Sequence, residues 1–264
     1  MIRKRVNAYV AALLLVGAAG LLLPVLARAS VGAVPPSGGG GLSGGPGAPP
    51  GPSPPAPSTG VVRPGGMVVS ASGNGITLAT RASAFLRNQL SFTGSVSPSA
   101  VGRVVEIERR GRETNWAWAP TAHGTARASG AFSAVWPTNH IGQFAIRAVL
   151  QGSSGRRAHA ASASPPVIVT VYRPAIATWY GPGFYGQRTA CGQTLRPHTL
   201  GVANRALKCG TPVAIYYKGQ TIVVPVIDRG PYANGADWDL TEATAKALGM
   251  DGTATIGAVS LPAK

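Results

Sequence analysis

The strongest chemical feature of the sequence is an apolar run that ends abruptly in a carboxylate, Ile222-Val-Val-Pro-Val-Ile-Asp-Arg-Gly-Pro-Tyr232. Residues 222–227 read as a buried strand, rich in β-branched side chains, and Gly230-Pro231 turns the chain after it. A carboxyl group at the rim of an apolar wall has its charged form disfavoured by burial, so Asp228 can act as a proton donor. It can equally be a structural aspartate that ties down the turn. Four other acids lie in the same third of the chain: Asp237, Asp239, Glu242 and Asp251. Hydrolysis of a glycoside normally needs two carboxyl groups at a set separation. A lyase-like cleavage, in which a sugar hydroxyl attacks internally, needs only one: it protonates the leaving oxygen and then accepts the hydroxyl proton. Asp228 fits that single-acid role. Asp237 and Asp239 alternate on one face of a short extended segment, and Asp239, just ahead of a helix, reads as a cap or turn residue.

Other chemistries find little support. His198 is the one histidine in this region, and no nucleophile elbow accompanies it, so a Ser-His-Asp arrangement cannot be built. No glycine-rich phosphate loop opens a helix. Cys191 and Cys209 are the two cysteines of the chain. In an exported protein their spacing reads as a disulfide, whose loop closure stabilises by roughly 3 kcal/mol in the chain-entropy model. Without export they would be two free thiols. The spacing is not that of a zinc site. No metal and no cofactor is expected.

The elements that must position these groups follow from composition. The chain has 264 residues, a formal charge of +16, eight acids, 36 Gly and 23 Pro. Arg3-Lys4-Arg5, an apolar stretch over residues 8–26 and Ala27-Arg28-Ala29 form the pattern of a secretory signal peptide over residues 1–29. An uncleaved membrane anchor is the alternative, because the apolar stretch is long enough to span a bilayer. A basic exported chain is drawn to anionic wall polymers or surfaces rather than to nucleic acid. Residues 30–66, with Gly38-Gly-Gly-Gly41 and repeated prolines, lack the apolar content to fold and read as a disordered linker.

Residues 67–172 carry short strand-like runs at 76–80, 89–95, 103–109, 115–118, 130–136, 143–150 and 167–171, separated by turn residues, which suggests a β-sandwich. Basic residues there outnumber the acids Glu106, Glu108 and Glu113. Trp116 and Trp118 would share one face of a strand. They could stack on sugar rings, or pack in the sheet as large aromatics do. Residues 173–264 form a second unit, with strands at 175–180, 200–203, 211–217, 220–227 and 253–260. Lys218-Gly219 makes a hairpin turn. One helix follows Thr241 as N-cap, contains Ala243, Ala245 and Ala247, and closes at Gly249.

Leu90-Ser-Phe-Thr-Gly-Ser-Val-Ser-Pro98 and Val101-Gly-Arg-Val-Val-Glu-Ile-Glu-Arg109 resemble bacterial immunoglobulin-like repeats, which implies an immunoglobulin-like sandwich. Further on, Ala177-Thr-Trp-Tyr-Gly-Pro-Gly-Phe-Tyr-Gly186, Arg188-Thr-Ala190, Gly210-Thr211, Val226-Ile-Asp-Arg-Gly-Pro-Tyr232 and Asp239-Leu-Thr241 together resemble the rare lipoprotein A family. That resemblance covers roughly the last ninety residues. It implies a six-stranded double-psi β-barrel, related to expansins and family 45 endoglucanases, with one short helix and a groove for a glycan strand. Several family members are lytic transglycosylases acting on peptidoglycan stripped of peptides. The resemblance places Asp228 as acid and base, lines the groove with Trp179, Tyr180, Phe184 and Tyr232, and gives Gln193, Asn204 and Arg229 the positioning of the sugar.

The sequence also departs from the family pattern. Thr189-Ala-Cys-Gly-Gln193 stands where the family often has Thr-Ala-Asn-Gly-Glu, Arg196 replaces an aspartate, and Asn204 replaces a histidine. Gln193 cannot donate a proton as the glutamic acid could. The expected function is therefore an exported, wall-associated protein that binds and cleaves peptidoglycan glycan strands. The alternative is an expansin-like wall-binding or loosening module without turnover. A third reading, an endoglucanase, needs Asp237 or Asp239 across the groove.

Overall fold

The computed structural model of the protein describes Gly60, Arg63–Pro64 and residues 66–152, 162–233 and 235–262. The expected signal peptide at 1–29 and most of the expected linker at 30–66 lie outside the described residues. The chain is mainly β. Its first part contains β1 (Arg63–Pro64), β2 (Val68–Gly73), β3 (Ile76–Arg81), β4 (Ser83–Phe85), β5 (Gln89–Val96), β6 (Val104–Arg110), β7 (Ala119–Thr125), β8 (Ala131–Pro137), β9 (Gly142–Leu150) and β10 (Ser162–Ala163). The remainder holds β11 (Val167–Tyr180), β12 (Val202–Ala203), β13 (Pro212–Tyr217), β14 (Gln220–Asp228), β15 (Trp238–Thr241), α1 (Glu242–Leu248) and β16 (Ala254–Ser260).

Two sheets make the first layer. One has the order β2-β3-β5-β8; the other runs β11-β9-β6-β7, with β4 and β10 at its margins. Alternation along each strand sends one set of side chains to a shared core: Leu78, Leu90, Phe92 and Trp136 from the first sheet meet Ile107, Phe144, Ile146 and Val169 from the second. Trp136 is buried edge-to-face on Phe144, with centroids 5.5 Å apart.

The strand expected at 115–118 does not form. Asn115 and Trp116 both adopt left-handed backbone, with φ of 51° and 61°, so the chain turns there. The Thr114 hydroxyl, bonded to the Gly111 and Ala117 carbonyls, fixes that turn. Trp116 is therefore left at the surface. Trp118 lies under two guanidinium groups, those of Arg147 at 4.1 Å and Arg110 at 4.8 Å.

A closed barrel follows. Its six strands run in the order β11-β15-β12-β14-β13-β16, and β16 returns to β11. Ala177, Val202, Val213, Ile215, Val224, Val226, Leu240 and Ile256 fill it. The hairpin between β13 and β14 turns at Lys218-Gly219, where φ is positive at both residues, as a tight two-residue turn demands. Thr241 caps α1 by accepting from the Thr244 N–H, and Gly249 ends it in left-handed backbone.

The fourteen-residue β11 belongs to both layers. Residues 167–171 pair with β9, residues 173–177 with β16 and residues 177–180 with β15. The boundary expected at 172/173 thus falls inside a continuous strand. Phe85, Tyr172 and Tyr216 pack together at the junction, and Ala214, Val259 and Leu261 join them. β1 adds to β14 on the barrel, so the end of the expected linker is tied to the fold.

Gly257 sits under this aromatic cluster. A Cβ there would lie 2.8 Å from Phe85 and 2.9 Å from Tyr172. Gly257→Ala is expected to destabilise the protein by about 1–3 kcal/mol through overpacking, read as an earlier midpoint in urea. An unchanged midpoint would show that the junction is soft.

Candidate active-site cleft

The end of β14 does more than stop a strand. Ile222, Val224 and Val226 alternate into the barrel core, and regular alternation would carry Asp228 inward after them. The ladder between β12 and β14 is irregular at this point: Val202 pairs with Val226, and Ala203 pairs with Asp228. Such a bulge re-aims a side chain. Asp228 opens instead into a cleft of about 230 Å³, which it lines with Tyr180, Phe184, Arg188, Thr189, Arg229 and Asp239.

The Asp228 carboxylate is clasped on one side. Its Oδ1 accepts the backbone N–H groups of Ala190 and Arg229, both at 2.8 Å. Gly230, at φ 120°, then turns the chain through a conformation that side chains disfavour. The Arg229 guanidinium folds back along the strand end, donating to the Asn204 and Asp228 carbonyls at 3.4 Å and to Cys209 Sγ at 3.4 Å. Cys191 and Cys209 are disulfide-bonded. The bridge joins the loop that carries Ala190 to the loop that enters β13.

Tyr180 leans its ring edge-on to Phe184, at 6.2 Å. Its hydroxyl is buried and faces the Asp228 carboxylate. Burial, then the negative charge of Asp228 and a hydrogen bond to it, then the charge of Asp239, push its proton affinity well above that of free tyrosine. Thr189 Oγ1 is buried and unpartnered. Such an unpaired hydroxyl is costly unless a polar ligand or water meets it.

Asp239 is not the cap or turn residue that its place ahead of a helix suggests: Thr241 takes the cap, and Asp239 lies within β15 with its carboxylate half-buried in the cleft. Thr178 donates its hydroxyl to Asp239 Oδ1 at 2.8 Å. Burial raises the pKa of Asp239, the charge of Asp228 adds to the rise, and the Thr178 hydrogen bond opposes it. Asp237 is occupied elsewhere: it accepts the Ile176 N–H at 3.2 Å and faces Arg205 at 3.9 Å.

The other residues singled out from the sequence divide into two groups. Trp179 and Tyr232 line an adjoining cleft of about 550 Å³, which shares Arg229 and Asp239 with the first. Tyr232 is 78% exposed, and Trp179 also packs against the barrel core. Gln193 and Asn204 line neither cleft. Asn204 Oδ1 is consumed by the N–H groups of Ala206 and Leu207, a local turn. Arg188 and Thr189 belong to the cleft although the sequence assigns them no site role, and Asp239 belongs to it although the sequence reads it first as a cap or turn residue and gives it a site role only in the endoglucanase alternative. For Asp239 the signal was its alternation with Asp237 on an extended segment. Among the described residues, no cluster of three or more His, Cys, Asp or Glu is placed to hold a metal ion.

The loop bearing Phe184 is tethered by the hydroxyl of Tyr185, which donates to Glu242 at the start of α1. Glu242 also pairs with Lys246 at 2.7 Å, and these contacts, Lys246 first, hold its carboxyl below the usual range. Tyr185→Phe is expected to loosen the loop that bears Phe184, read as limited proteolysis of that loop roughly two- to fivefold faster than in the wild type, the cost of one half-buried hydrogen bond. An unchanged cleavage rate would show that the loop is held without this bond.

Residues 174–261 match the family model described as lytic transglycolase. Over 88 residues the chain is 42% identical to the probable endolytic peptidoglycan transglycosylase RlpA of Synechocystis, covering 33% of this chain and 27% of that one. It is 42% identical over 76 residues to the corresponding Aquifex aeolicus protein, covering 28% and 34% of the two chains. The endolytic peptidoglycan transglycosylase RlpA of Campylobacter jejuni is 35% identical over 97 residues, covering 34% and 35%. The chain thus spans about a quarter to a third of the length of these curated relatives. Among solved structures, the Streptomyces papain inhibitor is 28% identical, covering 33% of this chain and 92% of that chain at a TM-score of 0.25.

Proposed function

We propose that the chain is an exported wall-associated protein that binds peptidoglycan glycan strands and cleaves them as a lytic transglycosylase. The observation that carries this reading is Asp228. It is turned out of the barrel wall by a bulge, fixed at Oδ1 by two backbone N–H groups, and set in a cleft with Tyr180, Phe184 and two guanidinium groups. Relatives over the barrel are named peptidoglycan transglycosylases. The clefts suit a sugar polymer: Phe184 and Tyr232 offer exposed ring faces, and the buried Thr189 hydroxyl has no protein partner. Asp228 serves the cleavage as its acid–base carboxylate. Trp179, Tyr180, Phe184 and Tyr232 hold the strand, and Arg229 positions the sugar. Gln193 and Asn204 would reach the polymer only beyond the two clefts.

The two-sheet layer, read as an immunoglobulin-like sandwich over residues 67–172, supplies a basic surface for anionic wall polymers ahead of the barrel at 173–264. The basic, apolar start serves as the export signal.

Incubation of the protein with denuded glycan strands tests the reading. Mass spectrometry is expected to find new 1,6-anhydro ends that depend on Asp228. Sacculus binding without new ends would instead support the expansin-like module, which the outlying positions of Gln193 and Asn204 favour. Failure to pellet with purified wall would remove that module.

A further inference from the structure

The ladder of the barrel sets four residues in one lateral row. Thr178 of β11 pairs with Asp239 of β15, Asp239 pairs with Ala203 of β12, and Ala203 pairs with Asp228 of β14. Lateral neighbours in a sheet point to the same face. Asp239 and Asp228 therefore stand on one side of the barrel wall, separated by two strand spacings, about 9–10 Å between Cα atoms. The residue between them is Ala203, whose small side chain leaves the space above it open, and all three line the same cleft. Carboxyl groups on one side of a cleft can reach two oxygens on one face of a sugar ring, and the departing glycosidic oxygen and the C6 hydroxyl share a face when a 1,6-anhydro bridge forms.

Their surroundings differ. Asp228 Oδ1 is taken by two backbone N–H groups, donors that act on a carboxylate. Asp239 receives one hydroxyl from Thr178 and otherwise lies half-buried facing its neighbour's charge. The other charged or titratable groups that line this cleft, among the described residues, are Tyr180 of β11, Arg188 of the following loop and Arg229 after β14. Environments that push two carboxyl groups apart divide acid from base.

We propose that Asp239 is a second catalytic residue of the cleft, the proton donor to the glycosidic oxygen, and that Asp228 is the base. The inference rests on the transglycosylase reading and deepens it by dividing between two carboxyl groups the acid and base work given above to Asp228 alone. In the step, the bond between the anomeric carbon and the glycosidic oxygen breaks, and the Asp239 proton passes to that oxygen on the departing sugar. The sugar's own C6 hydroxyl oxygen bonds to the anomeric carbon, and its proton passes to Asp228. Exchange with water then returns a proton to Asp239 and removes one from Asp228, so nothing is consumed. Asp239, with its pKa raised by burial, keeps its proton to higher pH than an ordinary aspartate; activity is lost as pH rises through that value.

The test compares wild type, Asp239→Asn and Asp228→Asn on denuded glycan strands across pH. Asn at 239 can still accept the Thr178 hydroxyl. Asp239→Asn is expected to lower kcat by about 10²-fold or more, leave KM within about threefold, and lose the alkaline limb of the profile. On a glycoside with an activated aryl leaving group, which needs no proton, Asp239→Asn should recover towards wild type and Asp228→Asn should not. An active wild type whose Asp239→Asn variant keeps its rate and alkaline limb, or is impaired equally on the aryl glycoside, overturns the assignment to Asp239. A wild type that forms no 1,6-anhydro ends instead overturns the transglycosylase reading beneath it.

Discussion

Asp228→Asn is expected to fold, to bind wall material and to form 1,6-anhydro ends at least about 10²–10⁴ times more slowly than the wild type, the range that positioned acid–base groups supply. The substitution isolates proton chemistry from structure. An asparagine oxygen can still accept the two N–H groups, from Ala190 and Arg229, that now converge on Oδ1. The main-chain bond from Asn204 N to the Asp228 carbonyl, 3.2 Å long, does not involve the side chain. Stability should therefore stay within about 0.5 kcal/mol of wild type, as for changes that break no buried contact. Sacculus pelleting should be retained, because Phe184, Tyr232 and the guanidinium groups of Arg188 and Arg229 remain in place. Undiminished turnover by this variant would remove Asp228 from the chemistry and return it to its other reading, an aspartate that ties down the strand end. Loss of pelleting together with turnover would place it in binding instead.

Asp228 ties down the strand end through the Ala190 and Arg229 N–H groups and also lines the cleft, and this bears on what the sequence could show. The apolar run and the Gly230-Pro231 turn sufficed to place a strand that ends in a carboxylate, because alternation and turn chemistry are local. Local signals likewise located the Lys218-Gly219 hairpin, the Thr241 cap and the Gly249 stop. The direction in which Asp228 points is not local. It depends on the register of β14 against the two-residue strand β12, which lies some twenty-five positions earlier and whose ladder slips at Ala203. Asp239 is legible only once β15 is known to lie between β11 and β12, since its partner Thr178 is distant in sequence. Gln193 and Asn204 entered through the resemblance alone, and the Asn204 amide is spent on its own turn. Trp116 and Trp118 show the opposite failure. Their spacing mimicked a strand, but consecutive left-handed residues at Asn115 and Trp116 broke the alternation.

The second large effect concerns the disulfide. Replacing Cys191 and Cys209 together by serine is expected to cost about 3 kcal/mol, the loop-closure value for eighteen residues, and to lower the melting temperature by roughly 6–12 °C for a folded unit of this size. The activity loss should exceed what the fraction unfolded explains. Cys191 N bonds the Ile227 carbonyl at 3.3 Å and Gly210 N bonds the Val226 carbonyl at 2.8 Å, so both bridged loops dock on the last residues of β14. Ala190, beside Cys191, supplies one of the two N–H groups on Asp228, and Cys209 Sγ accepts from the Arg229 guanidinium. The bridge thus holds the loop that orients the carboxylate and steadies the cation next to it. A freed loop would donate to Asp228 for only part of the time, and catalysis depends on that geometry more steeply than binding does. The expected pattern at a temperature well below melting is a kcat reduced by about tenfold with sacculus binding nearly intact. Reduction of the wild type by thiol should reproduce it, and reoxidation should restore it. A double variant with wild-type kcat when folded would limit the bridge to stability. An unchanged melting temperature would mean that the barrel ladder alone holds these loops, and that Ala190 reaches Asp228 without help from the cysteines.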